Sequence, residues 1–199
     1  MPRAKQRTPE LRDRVLASAL ELLARDGVGA FTTRGLARAA DTSTPAVYEL
    51  FGDKAGLVRE VFFAGFRLLR DRLASLEQSE DPLADLLALG DGYRAFIREN
   101  PVLAEVMFSR PFGDFDPSEA ERRAGADVRE LIVARVRRCV RDGVLAGDEL
   151  DIAHVLVALM QGLALADNAH RLGRSRRSVE RRWDLAIRAL LDGLRVPPS

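Results

Sequence analysis

The stretch from residue 31 to residue 54 constrains the fold most, because it combines the start signals of two helices with the stop signals between them. Thr32 or Thr33 can cap a first helix, since a threonine hydroxyl accepts a hydrogen bond from a free amide of the first turn. Apolar residues then recur at helical spacing, namely Leu36, Ala37 and Ala40. Asp41 and Thr42 interrupt this pattern, so the spacing predicts a short helix followed by a tight turn.

A second short helix follows the turn. Ser43 or Thr44 can cap it, and Pro45 falls in its first turn, where a missing amide hydrogen costs little. Its apolar side would hold Val47, Leu50 and Phe51, and Gly52 can end it. Two short helices joined in this way are typical of the helix-turn-helix, whose second helix enters the DNA major groove. An ordinary helical hairpin remains the alternative on spacing alone.

Two side chains in this stretch favour DNA over the plain hairpin. Tyr48 follows the apolar Val47 and falls on the polar side of the second helix, where its hydroxyl can bond a phosphate. Lys54 lies in the first turn of the next helix, and a helix N-terminus with a lysine is a good phosphate site. The alternative for Lys54 is a solvated surface charge.

The order of residues in this region resembles the tetracycline-repressor (TetR) family of transcription regulators. The resemblance rests on Thr32-Thr33, Leu36-Ala37, Ala39-Ala40, Ser43 and Val47-Tyr48-x-x-Phe51-Gly52-x-Lys54, and on the upstream run from Val15 to Gly27. It implies phosphate contacts by Thr33, Tyr48 and Lys54, and base contacts from Thr44 to Ala46. The candidate DNA-binding residues are therefore Thr33, Arg34, Ser43, Thr44, Pro45, Ala46, Tyr48 and Lys54.

The chain departs from the family pattern at four positions. Asp41 stands in place of the usual turn glycine, although aspartate tolerates a left-handed backbone better than most residues. Thr42 replaces the usual valine. Glu49 and Leu50 stand where the family often has basic or aromatic residues.

The overall charge excludes a generally basic nucleic-acid coat. The chain has 199 residues, 47% of them hydrophobic, and a formal net charge of only +1. Any DNA affinity must come from local charge and from the two sites of a dimer. An N-terminal arm could supply local charge through Arg3, Lys5, Arg7, Arg12 and Arg14, and the alternative is a disordered tail with solvated charges.

The same composition indicates a compartment. One cysteine suits a reducing cytoplasm, and the residues before Thr8 lack the apolar segment of a secretory signal. No run approaches the roughly 18 apolar residues of a membrane span. We therefore expect a cytoplasmic protein with no membrane partner.

Helical periodicity runs through nearly every segment, which predicts an all-α fold. Residues 1–53 would form a helix-turn-helix DNA-binding domain, and residues 54–199 a larger helical-bundle domain for ligand binding and dimerisation. A fourth helix from about Lys54 to Leu76 would join the two domains.

The last two predicted helices favour a homodimer. The helix from Leu150 to Leu172 is apolar on more than one side, which a single core face cannot absorb. Two such helices from each chain would make a four-helix interface through Val155, Leu159, Trp183, Ile187, Leu190 and Leu194. The alternative is an internal helix pair in a monomer.

Aromatic and methionine side chains concentrate in the middle of the chain and could line a ligand pocket. The candidate residues are Phe62, Phe66, Tyr93, Phe96, Met107, Phe108, Phe112 and Gln161, with Asn168 as a further polar group. The loop from Pro111 to Pro117 could gate such a pocket. The stretch from Gly92 to Phe108 resembles a TetR ligand domain with a Trp-His-Gly signature. Gln161-Gly162 would correspond to the His-Gly of that signature, and no tryptophan precedes it. Plain core is the alternative.

The sequence offers little for catalysis or metal binding. Asp167 and His170 share a helical face, but the second such pair that di-metal bundles need is missing. Glycine-rich phosphate loops and serine elbows are also missing. Cys139 lies among arginines that would lower the pKa of an exposed thiol, so a redox sensor is an alternative to an inert cysteine. We expect no cofactor, no metal and no enzyme activity.

Together these features predict a ligand-responsive transcription regulator, a homodimeric repressor that a small apolar molecule releases from a double-stranded DNA operator. A helical ligand-binding or scaffold protein with weak DNA binding is the alternative.

Overall fold

Helices make up nearly all the regular structure of residues 9–108 and 119–196, which are the residues that the computed structural model describes. The helices are α1 (Pro9–Asp26), α2 (Thr33–Ala39), α3 (Thr44–Phe51), α4 (Lys54–Ala74), α5 (Pro82–Glu99), α6 (Pro101–Phe108), α7 (Glu119–Arg141), α8 (Glu149–Asn168) and α9 (Arg176–Asp192), with a short 3-10 helix at Val28–Ala30. Within these ranges there is no strand, only an isolated antiparallel bridge between Leu145 and Arg195. The all-α prediction is confirmed.

Polar caps set the helix starts at the positions that the sequence suggests. The Thr32 hydroxyl accepts a hydrogen bond from the Gly35 amide at 3.1 Å, so Thr32 rather than Thr33 caps α2. The Ser43 hydroxyl accepts one from the Ala46 amide at 3.3 Å, so Ser43 rather than Thr44 caps α3. Each cap satisfies a first-turn amide that the helix itself leaves without an acceptor.

Three helices end in the same kind of reversal, with one residue in the left-handed region just past the last turn. Asp41, Gly143 and His170 hold these positions, with φ of 48°, 70° and 55°. At the first, the Thr42 amide donates to the Ala37 carbonyl at 2.8 Å and the Asp41 amide to the Arg38 carbonyl at 3.2 Å. This pair of bonds is the Schellman motif, which usually takes glycine at the left-handed position.

The chain divides into two compact units. The first comprises residues 1–65 and 100–121, and the second comprises 66–99 and 122–199. The boundary crosses α4, and α6 belongs to the first unit. The functional division at residues 53 and 54 stays a prediction.

In the first unit, α1 packs against α2 and α6, and α2 packs against α3. The buried apolar side chains include Val15, Leu23, Phe31, Leu36, Val47 and Leu57. The Met107 side chain lies so close to Gly65 that a Cβ at that position would collide with its sulfur. Gly65 therefore allows α6 and α4 to approach closely.

In the second unit, α8 packs against α9 and α5. A buried carboxylate, Asp85, ties α5 to α7 and to the segment before α5. It accepts hydrogen bonds from the Ser79 amide at 2.9 Å and hydroxyl at 2.8 Å, and it pairs with Arg138 at 2.6 Å. The bonds from Ser79 are the main reason that the pKa of Asp85 lies below its ordinary value, and Arg138 adds to the effect.

Among the described helices, α8 is long and apolar enough to cross a membrane by length and composition, although our sequence analysis predicted no such segment. Only 28% of its most apolar stretch is buried inside the chain. Core helices of other proteins pass the same test.

Candidate DNA interface and ligand core

The candidate DNA-binding residues lie on or beside the outer sides of α2 and α3. Five of the eight are exposed: Arg34, Ser43, Pro45, Tyr48 and Lys54. Thr33, Thr44 and Ala46 are half-buried. Tyr48 is 45% exposed whereas its neighbour Val47 is 1% exposed, so α3 is anchored by one side and presents the other to solvent.

The turn between α2 and α3 contains an unused polar group. The Thr42 hydroxyl oxygen is buried and has no hydrogen-bond partner among the described residues. A buried hydroxyl without a partner costs free energy of folding. The substitution of the family's usual valine by Thr42 therefore adds a group that this turn does not satisfy.

Two arginines of α1 bond carbonyl oxygens near the ends of α2 and α3, and the sequence analysis missed this role. Arg12 donates to the Leu50 carbonyl at 2.8 Å and pairs with Glu60 at 2.6 Å, and its guanidinium lies 4.8 Å from the centre of the Phe51 ring. Arg14 donates to the Ala40 carbonyl at 3.2 Å. Arginines near helix C-termini satisfy terminal carbonyls and favour the negative end of the dipole.

Arg12 and Arg14 are therefore corrected from arm residues to supports of α3 and α2. The signal available in the sequence was their position inside an amphipathic helix, beside Leu11 and Val15, where a long side chain covers the edge of the apolar side. The other three arm residues, Arg3, Lys5 and Arg7, lie outside the described residues.

Charge on the helix-turn-helix surface is balanced. From α2 to the start of α4 the exposed basic residues are Arg34, Arg38 and Lys54, and the exposed acidic residues are Asp41, Glu49 and Asp53. Non-specific attraction to DNA is weak for such a surface. The positions of individual contacts and the pairing of two DNA-binding sites must then supply the affinity for DNA.

The candidate pocket residues divide between the two units. Phe62 and Met107 are buried and Phe108 is half-buried in the first unit. Phe66, Tyr93 and Phe96 are buried in the second, where Gln161 is half-buried. Phe112 and the loop from Pro111 to Pro117 lie outside the described residues.

Two polar candidates meet in the second unit. Burial raises the pKa of the Tyr93 phenol above its ordinary value, and a side-chain hydrogen bond with Gln161 acts in the opposite direction. The phenol therefore stays neutral. Tyr93 lies on α5 and Gln161 on α8, two helices that pack together in the second unit.

The predicted dimer interface needs a correction at two residues. Trp183 and Ile187 are 3% and 7% exposed, because both pack inside the second unit, so they offer no surface to a second chain. Leu159, Leu190 and Leu194 are half-buried and Val155 is 52% exposed. Leu185, which the sequence analysis did not select, is 67% exposed on α9.

Cys139 is fully buried and donates to the Pro82 carbonyl at 3.2 Å. Burial raises the pKa of its thiol to about 11, although Arg138 favours the thiolate. The effect that the sequence suggested for neighbouring arginines is therefore outweighed by desolvation. A protonated, inaccessible thiol does not serve as a redox sensor.

The described residues contain no group of three or more histidine, cysteine, aspartate or glutamate side chains that could hold a metal ion. Asp167 and His170 instead border a cavity at the end of α8.

Models of known protein families match both parts of the chain. Residues 15–61 match the model described as bacterial regulatory proteins, tetR family. Residues 86–190, more than half of the chain, match the model described as tetracyclin repressor-like, C-terminal domain. The chain belongs to the TetR family. It is thus a ligand-responsive, DNA-binding transcriptional regulator of a family that typically represses and is not known as a family of enzymes.

Individual relatives agree with this TetR assignment. An uncharacterised helix-turn-helix regulator of Bacillus subtilis, YvkB, is 26% identical over 161 residues, which cover 80% of this chain and 82% of that protein. A protein of unknown function from Rhodococcus sp. RHA1 is 25% identical, with a TM-score of 0.77 over 98% of this chain and all of that one. The TetR-family regulator PfmR of Thermus thermophilus shares the fold, with 21% identity and a TM-score of 0.67 over 88% of this chain and 98% of its own.

Proposed function

We propose that this regulator is a cytoplasmic homodimeric repressor that holds an operator through α3 of each subunit and leaves it when a small apolar ligand binds. The proposal of DNA binding rests on the way α3 is held. Ser43 caps its start, Arg12 donates to the Leu50 carbonyl near its end, and Tyr48 is exposed on its outer side. A helix fixed at both ends presents its outer residues in one orientation.

Phosphate contacts belong to Thr33, Tyr48 and Lys54 in this proposal, and base contacts to Thr44, Pro45 and Ala46. Arg34 and Ser43 complete the surface. Because exposed charges of both signs balance here, specific contacts and two half-sites must supply the affinity.

The proposal is tested by duplex binding at several salt concentrations, with DNA from upstream of the protein's own gene and with random DNA. Lys54→Ala should reduce the slope of log affinity against log salt by about one unit. Tyr48→Phe should weaken binding to both duplexes about threefold to tenfold, as expected for one lost hydrogen bond.

Arg25→Ala is the matched control, because it also removes one positive charge from the first unit. Arg25 already bonds Asp26 at 2.7 Å at the end of α1. An unchanged slope for Lys54→Ala, or an equal change for Arg25→Ala, would remove Lys54 from the contact surface.

The ligand part rests on the buried aromatic residues of the second unit. Phe66 and Phe96 provide apolar surface, and the Tyr93–Gln161 pair provides one oriented polar site. Repeating the duplex titration with the neutral probe N-phenyl-1-naphthylamine should weaken operator binding, and Phe96→Trp should reduce that effect by filling space. Binding of the probe without any change in operator affinity would contradict the release mechanism.

A ligand-binding or scaffold protein with weak DNA binding is the second candidate, favoured by the balanced charge around α3. It predicts equal, weak binding to the upstream and random duplexes.

A further inference from the structure

A cavity of about 190 Å³ lies in the second unit, where the last turns of α5, the end of α8 and the start of α9 meet. Four arginines line it: Arg94, Arg98, Arg174 and Arg176. One carboxylate, Asp167, lines it with them. An excess of guanidinium groups around a space of this size favours an anion.

Arg94 is the most informative of these side chains. Its residue is only 8% exposed, and its Nε is shielded from solvent and has no hydrogen-bond partner among the described residues, so an anion in the cavity can reach only the outer guanidinium nitrogens. Its guanidinium lies 5.3 Å from the centre of the Trp183 ring, which orients the plane but accepts no hydrogen bond of ordinary strength. A largely buried guanidinium whose accessible edge lines a cavity favours an anion at that edge, because a hydrogen bond from a charged donor in such a place is strong.

Glu180, a carboxylate beside the cavity, does not remove the excess of positive charge. Glu180 bonds the Arg176 Nε at 2.8 Å and lies 3.8 Å from Arg98. The bond from Arg176 is the main reason that the pKa of Glu180 lies below its ordinary value, and the charges of Arg94 and Arg98 contribute. Three carboxylates, those of Glu180, Asp167 and Asp91, stand against the four guanidinium groups, so a positive surplus of one charge remains.

The backbone at the start of α9 also favours an anion in the cavity. Ser175 caps α9, so the first amides of this helix and the positive end of its dipole lie at the cavity. Arg182 donates to the Leu172 carbonyl and holds the preceding loop. Gly173 has φ of 116°, and a Cβ there would collide with Arg182 and Ser178.

We propose that this cavity binds the oxyanion group, carboxylate or phosphate, of a small molecule. Arg94 of α5 and Arg174 of the connection between α8 and α9 are its main side-chain donors. The site is separate from the apolar pocket and from the helix-turn-helix, so it holds or fails independently of the proposed repressor function.

Calorimetric titration of the full chain with sodium phosphate and with sodium succinate tests the site, with sodium chloride at equal ionic strength as the reference. We expect saturable binding of at least one oxyanion. Arg174→Gln should weaken it about tenfold, since a hydrogen bond to a charged group contributes about 1.5–3 kcal/mol. The anion that binds identifies the group.

Arg177→Gln is the matched control, because Arg177 is exposed in the same first turn of α9 but does not line the cavity. It should change affinity less than twofold. Arg94→Lys retains the charge but loses the forked guanidinium group, and should weaken binding as Arg174→Gln does. Absence of saturable binding by both anions, or an equal loss in Arg177→Gln, would overturn the proposal.

Discussion

At the scale of the residue, two threonines of the helix-turn-helix make opposite contributions to stability. The Thr42 hydroxyl is buried without a partner among the described residues, so Thr42→Val, which keeps the shape and removes the group, should raise the free energy of unfolding by about 1 kcal/mol. The Thr32 hydroxyl caps α2, so Thr32→Val should lower it by about 1 kcal/mol. Urea unfolding of both variants measures the difference. Destabilisation by Thr42→Val would show that its hydroxyl has a partner after all.

Single-residue features were predictable where the cause is local. The caps of α2 and α3 and the left-handed turn at Asp41 depend on residues three to five positions apart, and the sequence narrows each cap to two neighbouring residues. Arg12 and Leu50 are 38 residues apart, so no local pattern shows that bond. The burial of Trp183 has the same origin, because α5 and α9 must pack before its environment exists.

At the scale of the element, α5 and α7 are joined by the Asp85 carboxylate, which predicts a pH dependence of stability. Because the pKa of Asp85 in the folded chain is lower than its ordinary value, its stabilising contribution is fully present above about pH 4, the ordinary value, and is lost as the pH falls through the lower folded value. Asp85→Asn should therefore lower the thermal midpoint at pH 7 and matter progressively less in acid.

Thermal unfolding between pH 2 and pH 7 measures this difference. Asp142→Asn is a suitable control, since Asp142 is exposed and lies 3.7 Å from the same Arg138. A gap between wild type and Asp85→Asn that stays constant across this range would exclude the charged network as its cause.

Helix existence and most helix bounds followed from the sequence within a few residues, because caps and periodicity are properties of each segment. The sequence did not predict which helices pack against each other. Gly65 shows why: its missing side chain admits Met107 of α6, a contact that the apolar pattern of neither helix specifies.

At the scale of the whole molecule, the outer side of α8 predicts a dimer. Val155 is 52% exposed, Ala158 and Gly162 follow along the same exposed side, and a Cβ at Gly162 would meet nothing within the described part of its own chain. Small residues in that arrangement allow a second helix to approach closely. Val155→Arg should place an unpaired charge in the interface and weaken dimerisation at least tenfold.

Sedimentation velocity at micromolar concentration measures the assembly. Leu68→Arg is the matched control, because Leu68 is 46% exposed on α4 and lies outside the proposed interface. A wild-type monomer, or equal dissociation in both variants, would contradict the interface on α8.

The way α1 holds α2 and α3 has a consequence for how operator preference can diverge. Arg12 and Arg14 bond main-chain carbonyl oxygens, at Leu50 and Ala40, and every amino acid supplies that oxygen. Residues on the outer side of α3 can therefore be exchanged without loss of the hydrogen bonds that hold the helix. In the DNA complex that we propose, Thr44, Pro45 and Ala46 could then be exchanged for residues that fit a new DNA sequence, while the same two arginines keep α3 in place.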